Sequence, residues 1–236
     1  ALETLVYGNT VVIRFTIPEG FSVREIAERL EKEGLVSADD FMRRAKTYRP
    51  YPYVEEHENV RYAAEGFLFP DTYEINGEFD AARIMEMMAE NFDRRLTKEM
   101  RERAKEMNLS IYELVTLASL VEKEAYHEED RPIIAQIFLK RLRLGMPLQA
   151  DPTVQYLLNE PKEDLLFSDT EIESPYNTYQ NVGLPPGPIA SPGTASLMAV
   201  LHPAATNYLY FVADRNGNNY YATNYADHLA LVDRVR

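Results

Sequence analysis

The sequence contains no cysteine and no tryptophan in 236 residues, and only four histidines. Without cysteine there is no disulfide, no thiolate metal site and no thiol nucleophile. His57, His127, His202 and His228 show no HExxH-like ligand spacing, which argues against a zinc site. No apolar run approaches the roughly 20 residues that span a bilayer, and the N-terminus lacks a signal-peptide pattern. Basic charge is also scarce: 25 Lys+Arg stand against 38 Asp+Glu, a formal net charge of −13. That balance argues against non-specific binding to nucleic acid or to an anionic membrane, where Lys/Arg clusters supply the attraction. GxSxG, P-loop and GxGxxG motifs are missing too. What remains is an ordinary globular composition, 45% hydrophobic and 27% charged, enough for one large domain or two small ones. Its available chemistry lies in carboxylates, hydroxyls and amides.

Residues 10–17, TVVIRFTI, alternate as a half-buried strand and end at Pro18-Glu19-Gly20. Ser22 with Glu25 forms a capping box opening a helix through Glu31, and Ser37 with Asp40 repeats the device for a second short helix. Together they predict a small α/β unit of about fifty residues, followed by a Pro50/Pro52 connection. Residues 62–75 read as a turn and short strands. Ile84, Met88, Phe92, Leu96 and Met100 recur at four-residue steps, giving one long helix or two joined near Thr97. A Met stripe at this spacing is core packing. Ser110 with Glu113 caps the helix IYELVTLASLVEKEA, and Asp130 caps the next, with Pro132 in its first turn and Gly145 as terminator. A proline-rich stretch follows, then a short helix over 194–201. YLYFVA (208–213) and NYYAT (219–223) then pair as a β-hairpin turned by Asn216-Gly217.

Two constellations could carry chemistry. On the helix from Ile111, Glu122 and Glu124 fall on opposite shoulders of the apolar arc, roughly 80° either side of its centre. Residues two apart cannot face one site, so they do not form a carboxylate dyad, and at most one is a working acid. A Glu at an apolar margin is partly desolvated, which keeps a general acid protonated near neutral pH. The plainer alternative is a pair of helix-flank glutamates held by Lys or Arg. The second constellation, Gln149, Asp151 and Thr153 with residues 174–179 and 181–191, alternates amides and hydroxyls with Tyr and Pro. It suits a neutral, hydroxyl-rich ligand such as a glycan, or else forms a rigid cover over the core.

The runs LASLVEKEA (117–125), IAQIFLKRLRLGMPLQADPTVQY (134–156), SPYNTYQNVGLPPGPIASPG (174–193), LHPA (201–204) and YLYFVAD (208–214), with EGFLFPDTY (65–73) upstream, resemble the endolytic murein transglycosylases of the YceG-like family. The resemblance covers residues 10–236. It implies a membrane-anchored lyase of the cell wall, a lytic transglycosylase that cuts the β-1,4 bond between N-acetylmuramic acid and N-acetylglucosamine within nascent peptidoglycan. The muramyl C6 hydroxyl attacks in place of water and leaves a 1,6-anhydro end, so a single Glu suffices. An ordinary glycosidase uses two carboxyls. The catalytic-helix pattern of lytic transglycosylases, an apolar pair, two variable residues, Glu and a small residue, implies Glu124 as the acid ahead of Glu122. Ala125 departs from the usual Ser after the acid.

The same resemblance implies that Gln149, Asp151, Tyr176, Asn177, Thr178 and Tyr179 grip sugar hydroxyls and acetamido groups, and that Glu65 lies at the cleft wall. It implies no metal and no cofactor. The implied fold is α+β: a LysM-like subdomain over 1–50, then a mainly helical catalytic domain over 51–236 with a β-hairpin near the C-terminus. Implied partners are peptidoglycan strands, peptidoglycan synthases, elongation proteins and a membrane reached through an N-terminal anchor, with the catalytic part extracytoplasmic. The alternative is a non-catalytic glycan-binding or scaffold protein of the cell-wall machinery.

Overall fold

Alternation places Phe15 inward on strand β1 (Val12–Thr16), which pairs antiparallel with β2 (Thr72–Asn76) so that Phe15 faces Tyr73 and Ile13 faces Ile75. The Phe15 and Tyr73 rings stack at 5.4 Å. The computed structural model describes residues 12–76, 79–158, 160, 162 and 165–235, so Thr10 and Val11 of the expected strand lie outside the described residues.

Between the two strands run α1 (Val23–Lys32) and α2 (Ala38–Ala45). The α1 capping box is complete, Ser22 Oγ accepting from Glu25 N–H and Glu25 accepting from Ser22 N–H at 2.7 Å. The α2 box expected at Ser37 and Asp40 does not form: the Ser37 side chain makes no cap bond. Asp40 is instead held by Arg43 and Arg44 on the following turn, and Asp is one methylene too short for the reach Glu makes in such a box. Glu31 of α1 does the capping, accepting from Ala38 N–H at 3.0 Å.

Helix α3 (Ala81–Arg95), N-capped by Asp80, joins two apolar cores. Its Ile84, Met85 and Met88 pack with Phe15, Val23, Ile26, Leu30, Phe41 and Leu68 in the first core. Its Phe92 enters the second with Leu96 and Met100. The Met stripe is therefore core on both counts. Helix α4 (Lys98–Glu106) is a separate element, started by Thr97 accepting from Met100 N–H. The second core surrounds α5 (Ile111–Glu124), whose residues from Leu114 to Val121 are all buried, as for a helix enclosed by α4, α6 (Arg131–Arg143), α7 (Asp151–Gln155) and α8 (Thr194–Leu201). Each fully buried Leu, Ile or Phe there contributes about 1.5–3 kcal/mol.

The Asp130 cap on α6 does not form either: the Asp130 side chain makes no cap bond. It accepts instead from Asn219 Nδ2 at 2.8 Å and Tyr221 Oη at 2.5 Å, two residues of a C-terminal strand. That strand, β4 (Asn219–Ala222), pairs antiparallel with β3 (Tyr210–Ala213), and α9 (Tyr225–Val235) packs on both. Among the described residues, helices with two small antiparallel sheets make an α+β fold. Among the described residues no helix is long and apolar enough to cross a membrane.

The two cores meet where backbone from the β1–α1 turn crosses the proline-rich loop. Gly20 N–H donates to Ser191 O at 2.9 Å and Ser191 N–H to Phe21 O at 2.8 Å. Gly66, at φ +82, passes so close to Pro188 and Val115 that a Cβ would sit 2.5 Å from the proline ring. Only glycine meets both demands.

Candidate active site

The last turn of α5 carries the two carboxyls singled out in the sequence, and they meet different surroundings. Glu122 turns toward α6 and α8. Its Oε1 lies 3.3 Å from Arg131 Nη2, and its Oε2 accepts from Gly193 N–H at 3.0 Å and Ser196 Oγ at 2.7 Å. The carboxylate thus neutralises a buried cation and sits at the N-terminus of α8, where a negative charge is favoured. Glu19 leans into the same cluster, and burial, followed by the nearby Glu122, pushes its carboxyl above the ordinary range.

Glu124 ends the helix, since Ala125 is already extended at φ −85 and ψ 114. Its carboxyl forms part of the floor of a cleft of about 980 Å³. Solvent still touches it, while protein surrounds it on most sides. Burial, and then the like charge of Asp151, push its pKa up to about 8; Arg141 and a main-chain N–H of Asp151 pull the other way. The negative end of the α5 dipole also opposes ionisation of a carboxyl in the last turn. Glu124 therefore holds its proton at neutral pH, the state a general acid requires.

Asp151 opens α7, and Gln149 precedes it with a left-handed φ of +51, fixed by its N–H donating to Thr178 O at 3.1 Å. Tyr179 donates its hydroxyl to Asp151 Oδ1, and burial followed by that bond drives the phenol pKa upward. Gln149, Asp151 and Tyr179 line the cleft together with Glu124.

The other expected sugar contacts lie elsewhere. Tyr176, Asn177 and Thr178 are buried. Asn177 Nδ2 donates to Thr170 O and Ile172 O at 3.0 and 2.8 Å, and its Oδ1 accepts from Tyr179 N–H at 3.0 Å. Thr178 Oγ1 accepts from Ala150 N–H at 3.0 Å and bonds Thr153 Oγ1 at 2.9 Å. Asn177 and Thr178 form the bed beneath Gln149 and Tyr179, whereas Tyr176 accepts from Arg61 N–H at 3.3 Å and lies with its ring 5.1 Å from that of Tyr156. Glu65, fully buried, is outside the cleft lining and holds Val23 N–H and Tyr156 Oη. Glu122 is likewise outside the lining.

The opposite wall was not anticipated as part of a site. It comes from the hairpin and α9: Tyr210, Phe211, Asn219, Tyr225 and His228. Arg141 joins the walls. Buried on α6, it donates to Leu209 O at 2.8 Å, Leu148 O at 2.7 Å and Pro147 O at 3.3 Å, and its guanidinium lies 5.1 Å from the centre of the Tyr210 ring. Burial lowers its pKa, though a guanidinium stays charged. The signal was in the sequence: Ile134, Ile137, Phe138 and Arg141 follow i, i+3, i+4, i+7, so this cation falls on the apolar face. Lys140 and Arg143 beside it disguised it as one of several helix-end cations.

The cleft lining carries three cations, Lys123, Arg141 and Arg215, and three carboxyls, Glu124, Asp151 and Asp214. With Glu124 held as the neutral acid, the lining has three cations against two other carboxyls, so it does not share the acidity of a chain that totals −13. Among the described residues no group of three or more His, Asp or Glu side chains is arranged to hold a metal ion.

Comparison with known proteins gives a consistent result. The model of the YceG-like family matches residues 1–234. An endolytic murein transglycosylase of Bacillus subtilis (strain 168) is 36% identical over 243 residues, covering 96% of this chain and 66% of the relative. One from Streptococcus pneumoniae (serotype 2, strain D39) is 35% identical, covering 92% of this chain and 44% of the relative. The chain thus spans less than two thirds of the length of these curated relatives. The 2.6 Å crystal structure of a yceG-like protein from Listeria monocytogenes superposes with a TM-score of 0.85 at 34% identity, covering 92% of this chain and 75% of that one.

Proposed function

This chain belongs to the YceG-like family, and from that premise we propose that it is an endolytic peptidoglycan lytic transglycosylase with Glu124 as its single general acid and base. The observation that carries the proposal is the contrast between the two glutamates. Glu124 ends its helix in an open cleft with its proton retained to about pH 8, whereas Glu122 is committed to Arg131, Gly193 and Ser196.

In the proposed reaction Glu124 gives its proton to the bridging oxygen of a MurNAc-β-1,4-GlcNAc bond. The C1–O bond breaks with its electron pair leaving on that oxygen. The muramyl C6 hydroxyl closes onto C1, and its proton returns to the Glu124 carboxylate. No water is consumed, the enzyme is regenerated, and one fragment ends in 1,6-anhydroMurNAc. Gln149, Asp151 and Tyr179 are the proposed sugar contacts on one wall, with Tyr210 and His228 opposite. Asn177 and Thr178 act from beneath by fixing Tyr179 and Gln149. A cleft lining without the excess negative charge of the whole chain suits largely neutral sugars.

Action on nascent strands fits an extracytoplasmic role in cell wall assembly. A membrane anchor and contacts with peptidoglycan synthases and elongation proteins belong to the same proposal, and the resemblance alone supports them.

One observation favours a second reading. Asp151 is close enough to raise the Glu124 pKa, and two neighbouring carboxyls are the equipment of a hydrolase, with Asp151 activating water or attacking C1. The products separate the readings. Un-crosslinked glycan strands incubated with the protein and analysed by mass spectrometry give anhydromuramyl ends in the first case and reducing ends in the second.

A further inference from the structure

Glu65 is a buried carboxyl for which the proposed chemistry has no use, yet both of its oxygens are engaged across the junction of the two cores. Oε1 accepts from the N–H of Val23, the first residue of α1, at 2.8 Å. Oε2 accepts from the hydroxyl of Tyr156 at 2.8 Å. The Val23 N–H is one of the donors that a helix start leaves without an intrahelical partner. A Glu carboxyl presents one oxygen to each of these two donors.

Tyr156 directly follows the five-residue helix α7, whose first residue is Asp151 in the cleft. The same end of α7 has two further ties to the N-terminal side of the molecule. Arg61 Nη1 donates to Tyr156 O at 2.7 Å, with its guanidinium 5.4 Å from the Tyr156 ring centre. Arg24 of α1 donates to Leu158 O at 3.4 Å. At 1.5 Å rise per residue, Tyr156 and Asp151 are about 7–8 Å apart along the helix axis. A single packed turn is stiff, so displacement of one end moves the other.

Resting on the reading of Glu124 and Asp151 given above, the geometry points to Glu65 as a positioning residue. It acts through Tyr156 to hold α7, and with it Asp151, in place beside Glu124, so that the cleft geometry depends on the docking of the β1–α1 unit. Burying a carboxyl here secures a joint between two units of the fold rather than a contact with substrate.

The test compares Glu65→Ala, Glu65→Gln, Tyr156→Phe and the Glu65→Ala/Tyr156→Phe double variant on un-crosslinked glycan strands, well below each unfolding midpoint. Glu65→Ala and Tyr156→Phe each lower kcat about tenfold to a hundredfold, the loss expected for a displaced catalytic geometry, with KM changed less. The double variant loses no more than the worse single one, because both remove one linkage. Glu65→Gln recovers most of the rate, since its amide can still bond both neighbours. In the two damaging single variants the alkaline limb of the pH–rate profile moves to lower pH, because Asp151 has drifted from Glu124. A purely structural role would not move it. Amide hydrogen exchange at Thr153 and Tyr156 supplies a readout independent of activity, and quickens in both single variants. Unchanged exchange and an unchanged pH limb in Tyr156→Phe overturn the proposal. A wild-type protein that releases neither kind of sugar end overturns the catalytic reading, while the exchange data still decide whether the latch exists.

Discussion

Replacing Glu122 by alanine separates the two glutamates most sharply on the stability side. The change removes the carboxylate 3.3 Å from Arg131 and the acceptor for Gly193 N–H and Ser196 Oγ at 3.0 and 2.7 Å. The Arg131 and Glu122 side chains are only 12% and 6% exposed, so water cannot readily take the lost partner's place. Breaking a buried pair from one side costs about 3–5 kcal/mol, against at most about 1 kcal/mol for an exposed pair. Glu19 stands beside the same cation and can swing toward it, which puts the expected loss at about 3 kcal/mol. In a domain of this size that lowers the unfolding midpoint by about 10 °C. Glu122→Gln keeps an acceptor for Gly193 and Ser196 but still leaves Arg131 without its nearest counter-charge, so it spares only the two hydrogen bonds and loses about 2 kcal/mol. Urea unfolding monitored by circular dichroism gives both numbers, and initial rates of glycan cleavage on the folded protein complete the comparison. Both variants, where folded, cleave at near the wild-type rate. A Glu122→Gln variant that folds normally yet is inactive refutes the division of labour.

Further outcomes follow from the same geometry. Cleavage that depends on protonated Glu124 declines as pH rises through about 8, and Asp151→Asn, by removing the like charge, moves that decline to lower pH; pH–rate profiles of the two proteins check this. Glu65 rises from an ordinary 4.5 to about 8 through burial. Between those values only the folded state holds the proton, so its contribution is complete below pH 4.5 and is lost as pH rises through 8. The amount is about 5 kcal/mol, and Glu65→Gln should flatten the fall in unfolding free energy between pH 5 and 9. Gly66→Ala combines a left-handed φ of +82 with a Cβ 2.5 Å from Pro188. It should cost about 2–4 kcal/mol in a denaturant titration.

Local signals carried much of the architecture. Ser110 and Glu113, like Ser22 and Glu25, close capping boxes within one turn, so the starts of α5 and α1 need no tertiary information. The α2 and α6 caps misled because Asp40 and Asp130 had competing partners, Arg43 and Arg44 nearby for the first and β4 for the second. Four-residue periodicity identified the buried stripe of α3, but not that Met88 and Phe92 enter different cores. In the loop constellation, polar and aromatic residues looked uniformly suited to a glycan. Folding turned Asn177 and Thr178 inward to satisfy buried main chain and left Gln149 and Tyr179 on the cleft. Which member of a polar run faces the ligand is decided by where its neighbours' hydrogen bonds go, and composition does not encode that. The hairpin wall stayed unseen for a similar reason: Arg141, Gln136 and Lys140 of α6 draw residues 207–209 to the cleft through main-chain carbonyls, which have no sequence signature.

The role of Glu124 is decided by mass spectrometry of un-crosslinked peptidoglycan strands after exposure to the wild-type protein and to Glu124→Gln at pH 6. If Glu124 is the acid, the wild type yields new 1,6-anhydromuramyl ends, and the variant forms them about 10²–10⁴-fold more slowly. A Glu124→Gln protein that folds normally and releases the same ends at the wild-type rate would contradict that role.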